Sequence, residues 1–281
     1  MRTLVIVYQH LAASDLGAYG GAQPLTTFDE FASRSDVYDW VYVADRTQPV
    51  THELKQSCGN SFREVSAIEE IPESVSELAS EAADGSTLFL NLSSETSPEQ
   101  LDQSFASALD AWKTATRDSD SDTPSTIIVT ANLGAHIDVD TLDAHPERSV
   151  AEAAAHIPLI IQPPGQNVSR RRTKLLTSDL IVEALKVISE SAASYQNFRD
   201  SEGAMQISYQ SRSMLAVRTE HALLIRSRDG DDSDDDHFLS LYLKPEDFWE
   251  VLDVASQYPV VVDHFFETGE LTLPQQGDDA S

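Results

Sequence analysis

Short runs of consecutive apolar residues alternate along most of the chain with longer segments in which apolar residues recur every three to four positions. Such uninterrupted β-branched runs are typical of central parallel strands that are covered on both faces, and the longer period predicts amphipathic helices. The strands are predicted at Leu4–Val7, Val37–Val43, Thr87–Leu92, Ser125–Thr130 and Pro158–Ile161, and the helices at Thr27–Ser35, Ile68–Ala83, Glu99–Thr116, Thr141–Ala155 and Leu175–Ala193. This order predicts an α/β fold with a doubly wound, mainly parallel sheet.

The pattern changes after about residue 195 to short strands with alternating apolar and polar positions, which suit a small antiparallel sheet. The predicted strands are Met205–Tyr209, Met214–Arg218, His221–Arg226 and Phe238–Leu243, and a last helix is predicted at Trp249–Phe266 with Val251, Leu252, Val254, Val261 and Phe265 inward. We therefore expect an α/β core at 1–196, a C-terminal α+β subdomain at 204–268 and a disordered tail at 269–281.

Composition narrows the classes of partner. The chain has 281 residues and a formal net charge of −28, and so acidic a surface repels phosphate backbones, which disfavours nucleic acid. No apolar run reaches the ~18 residues of a membrane span, so no membrane insertion is expected. The early strand, with no leader pattern before it, and the single cysteine, Cys58, lead us to expect a cytoplasmic protein without an internal disulfide.

Two predicted strands run directly into polar turns, and open α/β sheets carry their chemistry beyond the carboxyl ends of such strands. Gln9 and His10 follow the first strand, and Asn132 and Leu133 follow the strand that begins at Ser125. A hard divalent cation needs roughly six to eight oxygen ligands, several of them anionic. Because these residues offer no carboxylate, we expect no metal and no cofactor. A zinc-ligand role for His10 is a weaker alternative to a hydrogen-bonding one.

Two residues are candidate nucleophiles on a family resemblance that is described below. Thr47 opens the segment Thr47–Thr51, and its hydroxyl would need a neighbouring base or metal to become reactive, so a loop or capping role is favoured. Cys58 opens the segment Cys58–Arg63, in which Arg63 alone is thin support for a reactive thiol, so a structural thiol is favoured.

Arg170, Arg171 and Arg172 form the only basic cluster of the sequence. Guanidinium groups match the oxygens of sulfate and phosphate, which makes these residues candidates for oxyanion binding. The favoured alternative is a mobile loop that neutralises the acidic surface.

Several segments match motifs of one known family in the family's order. They are Asp15-Leu16-Gly17-Ala18-Tyr19-Gly20, the turn Thr130–Gly134, Ile157-Pro158-Leu159-Ile160-Ile161 followed by Pro163-Pro164-Gly165, and Val217-Arg218-Thr219. On these motifs the chain resembles the sulfatases and the wider alkaline-phosphatase superfamily, with matching blocks near residues 1–50, 124–190 and 212–266.

The resemblance implies which positions would carry the family's chemistry. Gln9 and His10 stand where the family has paired metal-binding aspartates, and Asn132 and Leu133 stand where it has Asp followed by His or Asn. Thr47 falls on the position of the nucleophile, two residues before a proline as in the family. The resemblance therefore implies a shortened member whose active-site motifs are degenerate.

Three functions remain open. The favoured one is a binding or regulatory pseudoenzyme that has lost metal-dependent sulfuric ester hydrolysis and recognises a sulfated or phosphorylated small ligand, or pairs with an active relative. The second is an active sulfate or phosphate ester hydrolase with a rearranged site built from Thr47, His10, His136 and the segment Arg170–Arg172. The third is a structural interaction protein with an apolar surface patch. The sequence leaves the oligomeric state open.

Overall fold

The computed structural model describes residues 2–48, 51–52, 62–81, 87–93, 97–117, 125–181, 192–228 and 238–273. The strands are β1 (Arg2–His10), β2 (Asp36–Tyr42), β3 (Phe62–Val65), β4 (Thr87–Leu92), β5 (Ser125–Leu133), β6 (Leu159–Gln162), β7 (Arg170–Thr177), β8 (Gln206–Gln210), β9 (Met214–Thr219), β10 (Ala222–Ser227) and β11 (Leu239–Leu243). The helices are α1 (Thr26–Ala32), α2 (Ile71–Glu81), α3 (Pro98–Arg117), α4 (Val139–Ala144), α5 (Glu152–Ala155), α6 (Ala192–Asp200) and α7 (Pro259–Thr268).

The larger sheet has seven strands in the order β3-β4-β1-β5-β6-β2-β7. Only β6 runs against its neighbours, pairing antiparallel with both β5 and β2, while the other pairs are parallel. Strand β1 is central, and its apolar run Leu4–Val7 is completely buried, as the absence of interleaved polar residues predicts. The doubly wound, mainly parallel sheet is confirmed.

The smaller sheet is antiparallel, in the order β11-β10-β9-β8, which confirms the predicted four-stranded unit. One of its faces packs on the larger sheet, where the rings of Tyr42 and Tyr209 stack with centroids 5.2 Å apart. Its other face is covered by α7, whose Val261 and Phe265 join a cluster with Leu224. The two sheets therefore pack against each other at the carboxyl end of β2, where Tyr42 lies.

The helix predicted from Leu175 begins three residues later, and the prediction of a mobile basic loop before it was wrong. Residues 170–177 form the edge strand β7, which pairs in parallel with β2. An edge strand has one neighbour and tolerates charged side chains, so its apolar signal shrinks to Leu175 and Leu176, which are both buried. Helical structure begins at residue 178 and continues to 181, and the next described helix is α6.

Two other helices differ from the prediction. The region 141–155 contains α4 and α5 separated by a 3-10 turn at Pro146–Val150, because proline disrupts an α-helix. The last helix begins at Pro259 rather than Trp249. Of the residues predicted to face inward, Val254, Val261 and Phe265 are buried, whereas Val251 and Leu252 are exposed.

Some predictions fall on parts of the chain that the structure leaves undescribed. Cys58 and residues 274–281 of the predicted tail lie outside the described residues, while Leu271 is buried beside the smaller sheet. The division into units at 1–196 and 204–268 stays a prediction. None of the helices in the described ranges has the length and apolar character needed to cross a bilayer.

Candidate functional site

The carboxyl ends of β1 and β5 bring the two predicted turns side by side. His10 is the register partner of Leu133 across these parallel strands, and the Leu11 backbone N–H donates to the Leu133 carbonyl at 2.9 Å. Strand β2 points the same way because β2 and β5 are both antiparallel to β6. The segment after Tyr42 therefore reaches the same edge of the sheet as Gln9, His10 and Asn132.

Two histidines meet at this edge, within the electrostatic influence of an arginine. The ring centroids of His10 and His136 are 5.0 Å apart, with the ring planes at 73°. Burial lowers the pKa of His10, and the neighbouring charges of His136 and Arg46 lower it further. Arg46 follows β2, and its Nη1 donates to the Ser149 carbonyl at 2.9 Å. The sequence analysis named both histidines but missed Arg46, which no motif marks.

Asn132 holds the backbone of the segment that follows β2. Its side chain is buried, and its Oδ1 accepts a hydrogen bond from the Thr51 backbone N–H at 2.9 Å. Leu133 beside it packs against the main core. Asn132 and Leu133, which the resemblance places at metal positions, are therefore engaged in packing and in holding this segment to the end of β5.

Thr47 closes a local turn. It is exposed, and both its hydroxyl and its backbone N–H donate to Oδ1 of Asp45, at 2.7 and 2.8 Å. Burial raises the pKa of Asp45, but these bonds and one from the Gln210 amide outweigh burial and leave the pKa lowered. A carboxylate with a lowered pKa is a poor base for a threonine hydroxyl. The geometry suits the predicted loop role.

The donors at this edge do not fit the hard cation that the sulfatase resemblance implies. Asn132 Oδ1 already accepts the Thr51 N–H, Gln9 is exposed, and His10 lies within the influence of cationic Arg46. Such an ion requires several anionic oxygens. Over the described part of the chain, no three His, Cys, Asp or Glu side chains are grouped so that they could hold a metal ion.

The three arginines of the basic cluster begin β7 at the amino end of β2, since Arg170 is the register partner of Asp36. Arg171 donates to the Ala18 carbonyl at 2.7 Å and forms an ion pair with Asp39. Arg172 Nη2 lies 3.7 Å from Oδ1 of Asp36. Of the residues in the rearranged-site hypothesis, His10 and His136 lie close together in the structure. The arginine segment begins at the amino end of β2, whereas Thr47 follows its carboxyl end.

A buried network of charges joins the two sheets beneath the site, and sequence reasoning missed it. Oε2 of Glu152, in α5, lies 3.5 Å from Arg218 Nε and 3.4 Å from Lys244 Nζ, and all three residues are at most 3% exposed. The Tyr42 hydroxyl donates to Oε1 of Glu152. Burial raises the pKa of Glu152, but Arg218 and the other nearby cations outweigh burial, so the pKa is lowered. The family-like Val217-Arg218-Thr219 segment was the one signal for this network.

The network extends to the turn that carries His136. Gly134 and Ala135 donate their backbone N–H groups to the carbonyls of Ala154 and Ala153, at 3.1 and 2.8 Å. A Cβ on Gly134 would lie 2.5 Å from the Ala153 carbonyl oxygen, so glycine allows this close approach. The turn after β5 therefore rests directly on α5, the helix that Glu152 anchors.

Comparison with known proteins agrees with this architecture. No protein-family model matches the sequence, and no curated protein matches it. Among solved structures, a 2-O GAG sulfatase is similar with a TM-score of 0.67 at 12% identity, over 95% of this chain and 90% of that one. A protein of the alkaline phosphatase superfamily from Vibrio parahaemolyticus has a TM-score of 0.60 at 11% identity, over 97% and 88%. The chain has a sulfatase-like fold, as the sequence resemblance predicts.

Proposed function

We propose that this chain is a binding or regulatory pseudoenzyme of the sulfatase-like fold, which has lost metal-dependent sulfuric ester hydrolysis. It recognises a sulfated or phosphorylated small ligand at the carboxyl edge of the larger sheet. The observation that carries the proposal is the meeting of His10 and His136 within the electrostatic influence of Arg46.

Electrostatics favours an anion at these side chains. Imidazole and guanidinium N–H groups donate to sulfate and phosphate oxygens, and a charged partner roughly doubles the strength of each such bond. In the free protein, burial, His136 and Arg46 all disfavour the charged form of His10. An oxyanion would relieve the repulsion at His10, so its binding draws a proton onto that imidazole.

Loss of the family's hydrolysis is supported by the engagement of the substituted positions. The Asn132 amide is bonded to the Thr51 backbone, and the Thr47 hydroxyl donates to Asp45. Neither arrangement supplies the metal or the strong base that would activate a hydroxyl nucleophile.

Binding and turnover on the purified full chain test the proposal. Calorimetric titration with sulfate, phosphate, 4-nitrophenyl sulfate and 4-nitrophenyl phosphate at pH 6 measures affinity, and release of 4-nitrophenol measures hydrolysis. The double variant His10→Gln/His136→Gln should bind at least about ten-fold more weakly, which corresponds to about 1.4 kcal/mol. His221→Gln is the matched control, since His221 is exposed in the turn between β9 and β10. Undetectable binding, or equal affinity of the double variant, would refute the proposal.

The active hydrolase remains a second candidate because His10 and His136 do converge. Two adjacent imidazoles can supply a general base and a general acid near neutral pH. Release of 4-nitrophenol that is abolished in the His10→Gln variant and retained in His221→Gln would select this alternative over the pseudoenzyme.

A further inference from the structure

Three apolar side chains project into solvent from one short segment after β11. We call Trp249, Val251 and Leu252 the apolar tip, and they are 74%, 82% and 62% exposed. Between them, Glu250 points the other way, with a side chain only 10% exposed. The tip is therefore a feature of the fold rather than of a disordered end, because its central residue is anchored inside.

Side chains and backbone hold the tip in one conformation. The two carboxylate oxygens of Asp247 accept the backbone N–H groups of Val251 and Leu252, each at 2.9 Å. Lys244 Nζ donates to the carbonyls of Asp247 and Phe248, at 2.9 and 3.2 Å. A docking element that is ordered before it meets its partner loses little conformational entropy on binding.

Glu250 is the pivot of this arrangement. Its Oε1 accepts hydrogen bonds from the Glu152 backbone N–H at 2.7 Å and from Lys244 Nζ at 3.2 Å. Its backbone has a φ of 56°, the left-handed region that residues other than glycine rarely occupy. Such a conformation persists where surrounding contacts enforce it, and it recurs at ligand clamps. Here it turns the carboxylate inward and leaves the apolar neighbours outward.

The charge around the tip indicates what kind of surface can cover it. From Pro245 to the end of the sequence there is no lysine or arginine. The acidic residues between β11 and the end of α7 are Glu246, Asp247, Glu250, Asp253, Asp263 and Glu267. A second copy of this chain would bring like charges together, and membrane-surface segments depend on basic residues that this region lacks.

We propose that the apolar tip docks into an apolar pocket of a partner protein whose rim carries lysine and arginine. Trp249 is the anchor, because exposed tryptophan on a rigid frame is the side chain most enriched among binding hot spots. The basic rim complements the surrounding carboxylates and steers association.

A model peptide tests the proposal on the full chain. The probe is an 18-residue peptide of leucine and lysine with leucine at helical spacing, and the readout is tryptophan emission. Docking should shift the emission of Trp249 to shorter wavelength in a saturable way, and the Trp249→Phe variant should lose that shift. Val251→Ser/Leu252→Ser should weaken binding at least ten-fold with no change in net charge, while Val260→Ser, which is exposed on α7, keeps the affinity.

Four results would overturn the proposal. The first is the absence of any shift in tryptophan emission with the lysine peptide. The second is a peptide affinity of the Val251→Ser/Leu252→Ser variant equal to that of the wild type, which would indicate binding to the acidic surface elsewhere. The third is an equal response to a peptide with glutamate in place of lysine. The fourth is a shift on addition of phosphatidylcholine vesicles, or a tip-dependent dimer in sedimentation velocity, since either would assign the tip to a membrane or to a second copy.

Discussion

Replacing Glu152 by glutamine removes a charge that, among the residues the structure describes, is the one in contact with both Arg218 and Lys244. Removing one member of a buried ion pair typically costs about 3–5 kcal/mol, because the partner charge stays buried without compensation. Lys244 keeps its contact with Glu250, and Arg218 keeps backbone carbonyls near its guanidinium. We therefore expect a loss of unfolding free energy near the lower limit, about 3 kcal/mol.

Thermal and urea denaturation followed by circular dichroism measure this loss. A destabilisation of about 3 kcal/mol corresponds to a fall in midpoint temperature of roughly 6–12 °C for a chain of this size. The matched control is Glu30→Gln, because Glu30 is exposed on α1, and its effect should stay within about 0.5 kcal/mol. A loss below about 1 kcal/mol for Glu152→Gln would refute the assignment of Glu152 as the charge that compensates Arg218 and Lys244.

The same variant carries a pH test. The pKa of Glu152 in the folded protein is lowered, since Arg218 and the other cations outweigh the effect of burial. A group with a lowered folded pKa contributes its stability above its unfolded pKa and loses it as the pH falls through the folded value. The stability difference between wild type and Glu152→Gln should therefore be complete at neutral pH and shrink in acid. A difference that grows in acid would contradict the sign of the pKa shift.

Three further outcomes follow from the edge of the larger sheet. Sulfate binding should strengthen as the pH falls from about 8 to about 5.5, because the anion raises the lowered pKa of His10. Calorimetry in two buffers of different ionisation enthalpy detects the proton uptake. An affinity that does not change with pH would contradict this prediction. Asn132→Ala should lower the free energy of unfolding, measured in urea, by about 1–3 kcal/mol, because the buried Thr51 N–H loses its acceptor. Asn132→Asp should lower it less, since the aspartate keeps an acceptor oxygen. Gly134→Ala should lower the free energy of unfolding by about 1–3 kcal/mol and weaken sulfate binding, because the new Cβ would clash with the Ala153 carbonyl. Unchanged stability would show that the turn shifts to accommodate the methyl group.

The central strands could be predicted from the sequence because they are buried on both faces. The run Leu4–Val7 contains no polar residue, so its strand assignment needed no knowledge of its neighbours. Strand β7 was missed because its first five residues are Arg170–Lys174, and an edge strand can carry such side chains while pairing on one side. The helix expected from Trp249 failed for a local reason, since Asp247 captures the N–H groups of Val251 and Leu252 that a helix would have used.

The candidate site was predictable in position but only partly in content. The ends of β1 and β5 follow from the sheet topology, so Gln9, His10 and Asn132 could be placed at one edge from the sequence. The contribution of Arg46 depends on where the chain goes after β2, which no local pattern specifies. Glu152 stands in a segment rich in alanine, and a charged residue there is expected on the surface unless its distant partners are known.

The smaller sheet therefore supports the site structurally, although His10, His136 and Arg46 all lie outside it. Glu152 fixes α5 to Arg218 on β9 and to Lys244 after β11, and the carbonyls of α5 hold the backbone of Gly134 and Ala135. We therefore expect the position of His136 relative to His10 to depend on this charge network. If this coupling operates, Glu152→Gln should weaken sulfate binding as well as stability, even at a temperature where the variant is fully folded. Glu30→Gln should change neither. Unaltered sulfate affinity in folded Glu152→Gln would mean that the turn keeps its geometry without the network.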